Sequence, residues 1–366
     1  MALTIGTAAA KRGGITYGEY ALVQHPVGGA DSLPVIIAQG EEEGPVFWVT
    51  AGIHGIEHAG IQVIHKLITP ELVGQMRGTI IAIPALNPAG LRTLNRQAYY
   101  HVGDPNRLFP DGRKPKTNDP DQNLPSALEQ AYGRLFEEIK NTASFYFDLH
   151  CMSNGALSFT FRDRILYRKG DEAARQRAEV VSTKIDEMAQ AYGHTVIADF
   201  AVEKYIDQKL HRATTAAVSM LAGIPALTAE LSSPYTPTPE IVHAGVAGLR
   251  NVMRWGGMLG GEMEPILGIK VVDPGFPTHR RSVARVTQSC IVHHLKEPGD
   301  LVKVGDPLVE MRDAWGRSLG VLNSEYEGFV ISRPTGILYY PGEATMLLAI
   351  RDEKPRIGEY PETYFD

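Results

Sequence analysis

The sequence predicts an α/β domain built on a largely parallel sheet with helices on both faces, followed by a small all-β domain. Two observations carry this. From about residue 34 to residue 257, short apolar runs bounded by Gly or Pro alternate with segments of helical spacing, the pattern of a sheet covered on both faces. From about residue 265 onward the texture changes to short strands separated by Gly and Pro, with little helical periodicity. The division predicted is residues 1–262, with an N-terminal β segment, and residues 263–366. A chain of 366 residues is long enough for two such units.

The elements follow in order. LPVIIAQ and GPVFWVTAGI read as strands, and EHAGIQVIHKLI as the helix after them. RGTIIAIPALN is a further buried strand. A polar segment rich in Pro, Gly and Asn then runs from Pro88 to about Leu124, too long for a routine connection and therefore a candidate functional loop. PSALEQAYGRLFEEIKNT is a helix, SFYFDLHC a strand, and EAARQRAEVVSTKIDEMAQAYG a long amphipathic helix. HTVIADF, a helix near 212–222, the strand IPALTAEL and a helix near 239–257 complete the set. In the β domain, IVHHLKEPGDLVKVGDPLVEM and FVISRPTGILYYPGEATMLLAI each read strand, turn, strand, a faint repeat suited to a small barrel or flattened sandwich of interlocking hairpins.

Composition narrows the function classes. Apolar residues make up 43% and charged residues 21%, as in ordinary globular proteins. A net charge of -6 argues against a nucleic-acid partner. The apolar runs are broken within about ten residues, too short for a membrane span. Cys151 and Cys290 do not make a disulfide framework, so a cytoplasmic location is the default expectation.

Four local patterns carry chemistry. In AGIHGIEHAG a strand ends in Gly, His54 follows, and Glu57 stands three residues on as a helix begins. Both side chains are good zinc ligands, and Gly52 and Gly55 allow the tight turn that aims them at one point. In FYFDLHC, His150 closes an apolar strand, where an unpaired imidazole is costly and where α/β sheets place ligands. Asp148 lies on the same face and could orient that histidine. In IPALTAELSSP, Glu230 ends a buried strand, placed either for an ion pair or for proton transfer. In LNPAGLRTLNRQAYYHVGDPNRLFPDG, arginines and Asn106 occupy the long loop, where guanidinium forks suit carboxylates or a developing oxyanion. Taken singly, each pattern has a plain alternative: a capped helix start, a satisfied core histidine, a paired glutamate, or solvated arginines.

In the order HxxE, NPxG…R…DxNRxFP, DLH and a strand ending in Glu, these patterns resemble the zinc carboxypeptidase-like amidohydrolases. They are closer still to the succinylglutamate desuccinylase/aspartoacylase family, over roughly residues 34–260. The resemblance implies a zinc-carboxypeptidase-like mixed sheet and one Zn2+ per chain, with His54, Glu57 and His150 as its ligands. It implies Glu230 as the carboxylate that activates water, and Asn106 and Arg107 as the pair gripping a substrate carboxylate. Arg96 becomes the oxyanion-stabilising arginine, with Arg92 as competitor. Two departures bear on pocket shape: Pro105 replaces the family's Leu in DLNR, and ELSS replaces Glu-Leu-Gly after Glu230. HGIEH also fits H-x-x-E-H, in which His54 and His58 would share a metal with Glu57 as base. That arrangement needs both histidines on one helix, and it leaves His150 and Glu230 unexplained.

The expected activity is hydrolysis of an amide in a small N-acyl amino acid or related N-acyl compound. A metallocarboxypeptidase acting on peptides and a non-catalytic metal-binding protein are the alternatives. The C-terminal domain resembles the biotinyl/lipoyl barrel-sandwich fold. No lysine stands between Lys303 and Lys354, however, so a carrier lysine is missing from the expected hairpin tip. The domain reads instead as a cap bordering the active site or as an oligomer interface, which leaves a homo-oligomer as an open expectation.

Overall fold

The computed structural model describes residues 3–113 and 124–365. Its centre is a block of parallel strands, Thr79–Ile83, Val46–Ala51, Phe145–Cys151 and Ala226–Leu231, adjacent in that order. Thr79–Ile83 and Phe145–Cys151 are buried at every position, which is why they read as unbroken apolar runs. Around this block a mixed sheet of twelve strands extends in both directions. On one side it continues into the antiparallel pair Ala30–Gln39 and Gly14–Gln24. On the other, Phe159–Arg162 pairs antiparallel with Ala226–Leu231 and reverses the sheet direction.

The sheet is thus mixed: Phe159–Arg162, Thr195–Ala198 and Thr278–Arg285 form a second parallel set that runs opposite to the central block. The sequence reading passes over Phe159–Arg162 and Ile165–Tyr167, because runs of three or four residues broken by Asp and Arg give little periodicity. The helix expected near 212–222 is present as Thr214–Ala217 running into a π-helical turn at Val218–Ala222. Residues 114–123 of the candidate functional loop lie outside the described residues.

Helices cover both faces, as the alternation predicts. On one face, Ala59–Leu67, Glu172–Tyr192 and Pro239–Trp255 bury Val63, Ile185 and Leu249 against Phe47, Val49 and Phe147. On the other, Ala127–Thr142 packs Leu128, Tyr132 and Leu135 against Trp48 and Tyr146. Local chemistry sets the helix ends. Ser126 and Glu129 form a capping box, Asp171 accepts from Ala174 N, and Gly193 ends its helix at φ 77°. No described helix is long and apolar enough to cross a membrane.

The C-terminal all-β region is a separate layer pair. Ser318–Asn323, Pro307–Arg312, Cys290–His294 and Leu338–Tyr339 form a four-stranded sheet. It packs through Val292, Leu308, Val309 and Met311 on Val330, Leu348 and Ile350. Those three belong to Gly328–Ser332 and Ala344–Arg351, which extend the large sheet, as does Thr278–Arg285 beside Thr195–Ala198. The chain then returns to the α/β part, where Ile357–Glu359 pairs parallel with Ile165–Tyr167. Arg164 and Asp352, each 1% exposed at the side chain, form an ion pair across the junction.

Candidate metal centre

The parallel strands Val46–Ala51, Phe145–Cys151 and Ala226–Leu231 present their C-terminal ends at one edge of the sheet. In register, Thr50, Asp148 and Thr228 stand side by side, and His150 lies beside Glu230. Just past Ala51 the chain turns sharply. Gly52 takes φ +68°, and Gly55 lies so close to Gly90 that an added Cβ would come within 2.0 Å of the Gly90 carbonyl carbon. This turn places His54 over the sheet edge, and Glu57 follows just before the helix Ala59–Leu67.

His54, Glu57 and His150 offer ligand atoms that all lie within 4.8 Å of one another. All three are nearly buried, at 3%, 4% and 2% exposure, which is unusual for polar side chains unless they serve each other or an ion. Glu57 bridges the two rings: Oε1 is 2.7 Å from His54 Nδ1, and Oε2 is 3.1 Å from His150 Nδ1. Cys151 N donates to Glu57 Oε2 at 3.1 Å and fixes the carboxylate. Behind each imidazole stands a second acid. Asp148 Oδ2 lies 2.8 Å from His150 Nε2, and Asp104 Oδ1 lies 3.0 Å from His54 Nε2. A carboxylate on the far nitrogen fixes ring orientation and raises basicity, so both Nδ1 atoms are turned toward one point. Asp148 is itself held by hydroxyls of Thr50, at 2.6 Å, and of Thr214.

Burial would raise the carboxyls here, but their neighbours reverse it. The two imidazoles hold Glu57 far below the ordinary range, and Asp104 and Asp148 are lowered by His54 and His150 respectively. Burial opposes the charge on His150, yet Asp148 beside it raises its pKa well above the ordinary value. Glu230 differs. Burial dominates and pushes its carboxyl up to about 7, and its Oε2 is closed off from solvent with no partner among the described residues. The residue as a whole is only half-buried.

Among the loop arginines, Arg96 reaches the cluster. Its Nη1 is 3.4 Å from Glu57 Oε1 and its Nη2 is 2.9 Å from Asp104 Oδ2. Arg92 turns away and pairs with Asp31 at 2.6 Å. Asn106 is buried, with Oδ1 accepting from Thr214 N at 2.9 Å. Arg107 is anchored by backbone carbonyls, Nε to Gln208 at 2.9 Å and Nη1 to Asn106 at 2.6 Å. His58 lies outside the group, its ring edge-on to Tyr235. The helix begins only at Ala59, so the H-x-x-E-H alternative loses the helical geometry it requires. Sequence reasoning did not assign Asp104 to His54. Its signal was available in DPNR, where Asp104 precedes a 3-10 turn and caps Asn106 N at 2.9 Å.

Comparison with known proteins identifies the family. Residues 43–255 match the succinylglutamate desuccinylase/aspartoacylase catalytic domain. The N-alpha-acetyl-L-2,4-diaminobutyric acid deacetylase of Halomonas elongata is 25% identical over 239 residues. That match covers 64% of this chain and 61% of the relative, less than two thirds of its length. A succinylglutamate desuccinylase of Yersinia pestis is 30% identical over 109 residues, 30% of this chain and 32% of that one. Among solved structures, the product-bound ectoine utilization protein EutE (DoeB) of Ruegeria pomeroyi superposes with a TM-score of 0.69 at 18% identity. It covers 92% of this chain and 95% of its own, a likeness of fold. The chain therefore belongs to the succinylglutamate desuccinylase/aspartoacylase family, through a catalytic domain that carries the His54, Glu57 and His150 cluster.

Proposed function

We propose that the protein is a zinc-dependent deacylase that hydrolyses the amide of a small N-acyl amino acid or related N-acyl compound. The observation that carries this reading is the convergence of His54, Glu57 and His150 beside a fourth group, Glu230, that has an unpartnered buried oxygen. The donor set suits zinc. Two imidazoles and a carboxylate are its ordinary ligands, and bonds of about 2.0–2.2 Å would set donors roughly 3.4 Å apart. The separations of 2.7 and 3.1 Å already hold these donors within about 1 Å of that spacing. Three protein ligands leave a position free, as catalytic rather than structural zinc requires. When bound, zinc supplies Lewis acidity at the scissile carbonyl and makes water a nucleophile near neutral pH.

The chain's own residues do the rest. Glu230, beside His150 and held near neutral pKa, takes a proton from the attacking water and passes it to the leaving amine. Arg96 stays charged because Asp104 and Glu57 outweigh its burial, and it stabilises the oxygen that gains charge at the carbonyl. Asn106 and Arg107 receive a substrate carboxylate. Asp104 and Asp148 hold the two histidines in the tautomer that turns Nδ1 inward. We place the catalytic domain at residues 1–262 and the β domain at 263–366, and read the two free cysteines, Cys151 and Cys290, as suited to the cytoplasm.

A panel of N-acyl amino acids, assayed with chelated and zinc-reconstituted protein, tests the reading. Turnover that appears with zinc and is confined to small N-acyl substrates is expected. Zinc-independent turnover, or cleavage of peptides in preference to N-acyl amino acids, would overturn it.

A further inference from the structure

Arg107, proposed above to receive a carboxylate, lies within electrostatic reach of a second arginine, which comes from the C-terminal β region. Arg280 lies in the strand Thr278–Arg285, and its neighbour His279 pairs with Ala198 at the sheet junction. Its guanidinium makes a two-point contact with Asp199, Nε to Oδ1 at 2.8 Å and Nη2 to Oδ2 at 3.1 Å. It also stands over two rings, 4.6 Å from the Phe161 centroid and 4.4 Å from that of Phe200. These contacts fix its direction. Phe161 is edge-on to Phe159 at 4.9 Å, and Phe159 is the register partner of Glu230. From the other side, Phe200 carries Lys204 Nζ at 3.6 Å, and the helix Val202–Asp207 to which Lys204 belongs ends at Gln208, whose carbonyl anchors Arg107. Arg280 therefore lies close enough to act electrostatically on both Arg107 and Glu230.

Asp104 and Asp199 are the acids that act on Arg107. Arg107, Lys204 and Arg280 meet Asp199, while the Asp163 carboxyl nearby is pushed up to about 6, by burial and then by Asp199. Burial lowers the pKa of Arg107, and Arg280 and Arg96 both add repulsion. Among the described residues, Arg107 Nη2 and Arg280 Nη1 have no hydrogen-bond partner, since the other nitrogens serve backbone carbonyls and Asp199. Desolvated like charges with free N–H groups are stabilised by an anion placed between them.

We propose that Arg280 is a specificity-determining residue: with Arg107 it completes the subsite for the substrate's carboxylate, and Asp199, Phe161 and Phe200 hold it in position. This rests on the deacylase reading for the reaction but not for the binding step. It gives the C-terminal β region a direct part in choosing the substrate.

The test compares N-acetyl-L-glutamate with its neutral isostere, N-acetyl-L-glutamine amide, on the full-length zinc protein. Two readouts are taken: turnover, and thermal stabilisation at millimolar ligand. Wild type should prefer the acid in both. Arg280→Gln should reduce the acid-to-amide preference roughly 10–100-fold, mainly through KM, as loss of a charge-assisted hydrogen bond implies. Arg280→Lys should restore part of it. The double variant Asp199→Asn/Arg280→Gln removes the stranded aspartate and should show the same lost preference, which separates recognition from folding damage. An unchanged preference in Arg280→Gln overturns the proposal, as does a wild type that is not stabilised by N-acetyl-L-glutamate. Acid-selective stabilisation that depends on Arg280, in a protein that hydrolyses neither compound, would instead leave the subsite standing and remove the deacylase reading.

Discussion

Gly55→Ala tests how the metal cluster is built. Gly55 lies between His54 and Glu57, and a Cβ there would meet Gly90 C at 2.0 Å, Gly90 O at 2.2 Å and Asn95 O at 2.4 Å. All three atoms are backbone, so no flexible side chain can swing aside. Ordinary carbon contacts begin near about 3.5 Å, so the two segments must separate by more than about 1 Å. The Gly90 side cannot retreat freely, because Gly90 N donates to Asn87 Oδ1 and Asn87 Nδ2 donates to Ile53 O. Overpacking of this kind costs about 1–3 kcal/mol, and both ends of the displaced turn are proposed ligands. Gly133→Ala is the matched control. Gly133 lies inside the helix Ala127–Thr142 with nothing within 4 Å of an added Cβ, so alanine should stabilise by up to about 1 kcal/mol through helix propensity. Denaturant unfolding and metal content by mass spectrometry read both effects. Gly55→Ala should lose stability and bind zinc at least tenfold more weakly, while Gly133→Ala keeps its metal. Wild-type stability and zinc content in Gly55→Ala would refute the close approach of these two loops and the turn geometry drawn from it.

The other expectations concern single groups. Glu230→Gln should retain zinc and lose about 10²–10⁴-fold in turnover, checked by metal analysis and initial rates; near-normal turnover removes it as the base. Arg107→Lys should mainly raise KM and Arg96→Lys mainly lower kcat, since one group would bind the ground state and the other a charge that exists near the transition state. Asp163 has its pKa raised to about 6 from 3.8, so its contribution to stability is present below about pH 4 and lost as pH rises through 6. Asp163→Asn should therefore gain on wild type between pH 4.5 and pH 8 by up to about 3 kcal/mol, and a pH-independent difference in unfolding would count against it. An intact mass equal to the unmodified chain is expected, and a biotin or lipoate increment would contradict the argument from the missing lysines.

What the sequence made legible follows from where the information is local. The cluster residues lie at strand ends, and strand ends are marked by the change from a buried run to a turn, so His54, His150 and Glu230 could be picked out singly. Their convergence could not, because it depends on the register that sets His150 beside Glu230 and on the order of parallel strands. Only the resemblance supplied that step. The resemblance favoured Arg96 over Arg92, but the reason for their opposite directions is structural: the helix Pro88–Thr93, which carries Arg92, ends at a left-handed residue, Leu94 at φ 50°, before the chain reaches Arg96. The role of Arg280 was less visible still. It sits in THRRSVAR among other arginines, and nothing in that string distinguishes the one whose strand neighbour pairs with Ala198.

The reversal at Phe159–Arg162 explains why the β region can reach the substrate at all. In an all-parallel sheet every strand would end at the same edge, and a pocket there would be walled by loops alone. Here Phe159, at the start of its strand, lies beside Glu230 at the end of the neighbouring one. The side chains of that reversed strand run back along the sheet face from Glu230, first Phe159 and then Phe161. The next two strands, Thr195–Ala198 and Thr278–Arg285, run in the same reversed sense and bring Asp199 and Arg280 over the Phe161 ring. The hydrogen-bonded sheet thus continues from the ligand-bearing strands into the C-terminal region without a break. An arginine on such a strand is held by the ladder as well as by Asp199, so it is a preorganised reader of a carboxylate rather than a mobile surface charge.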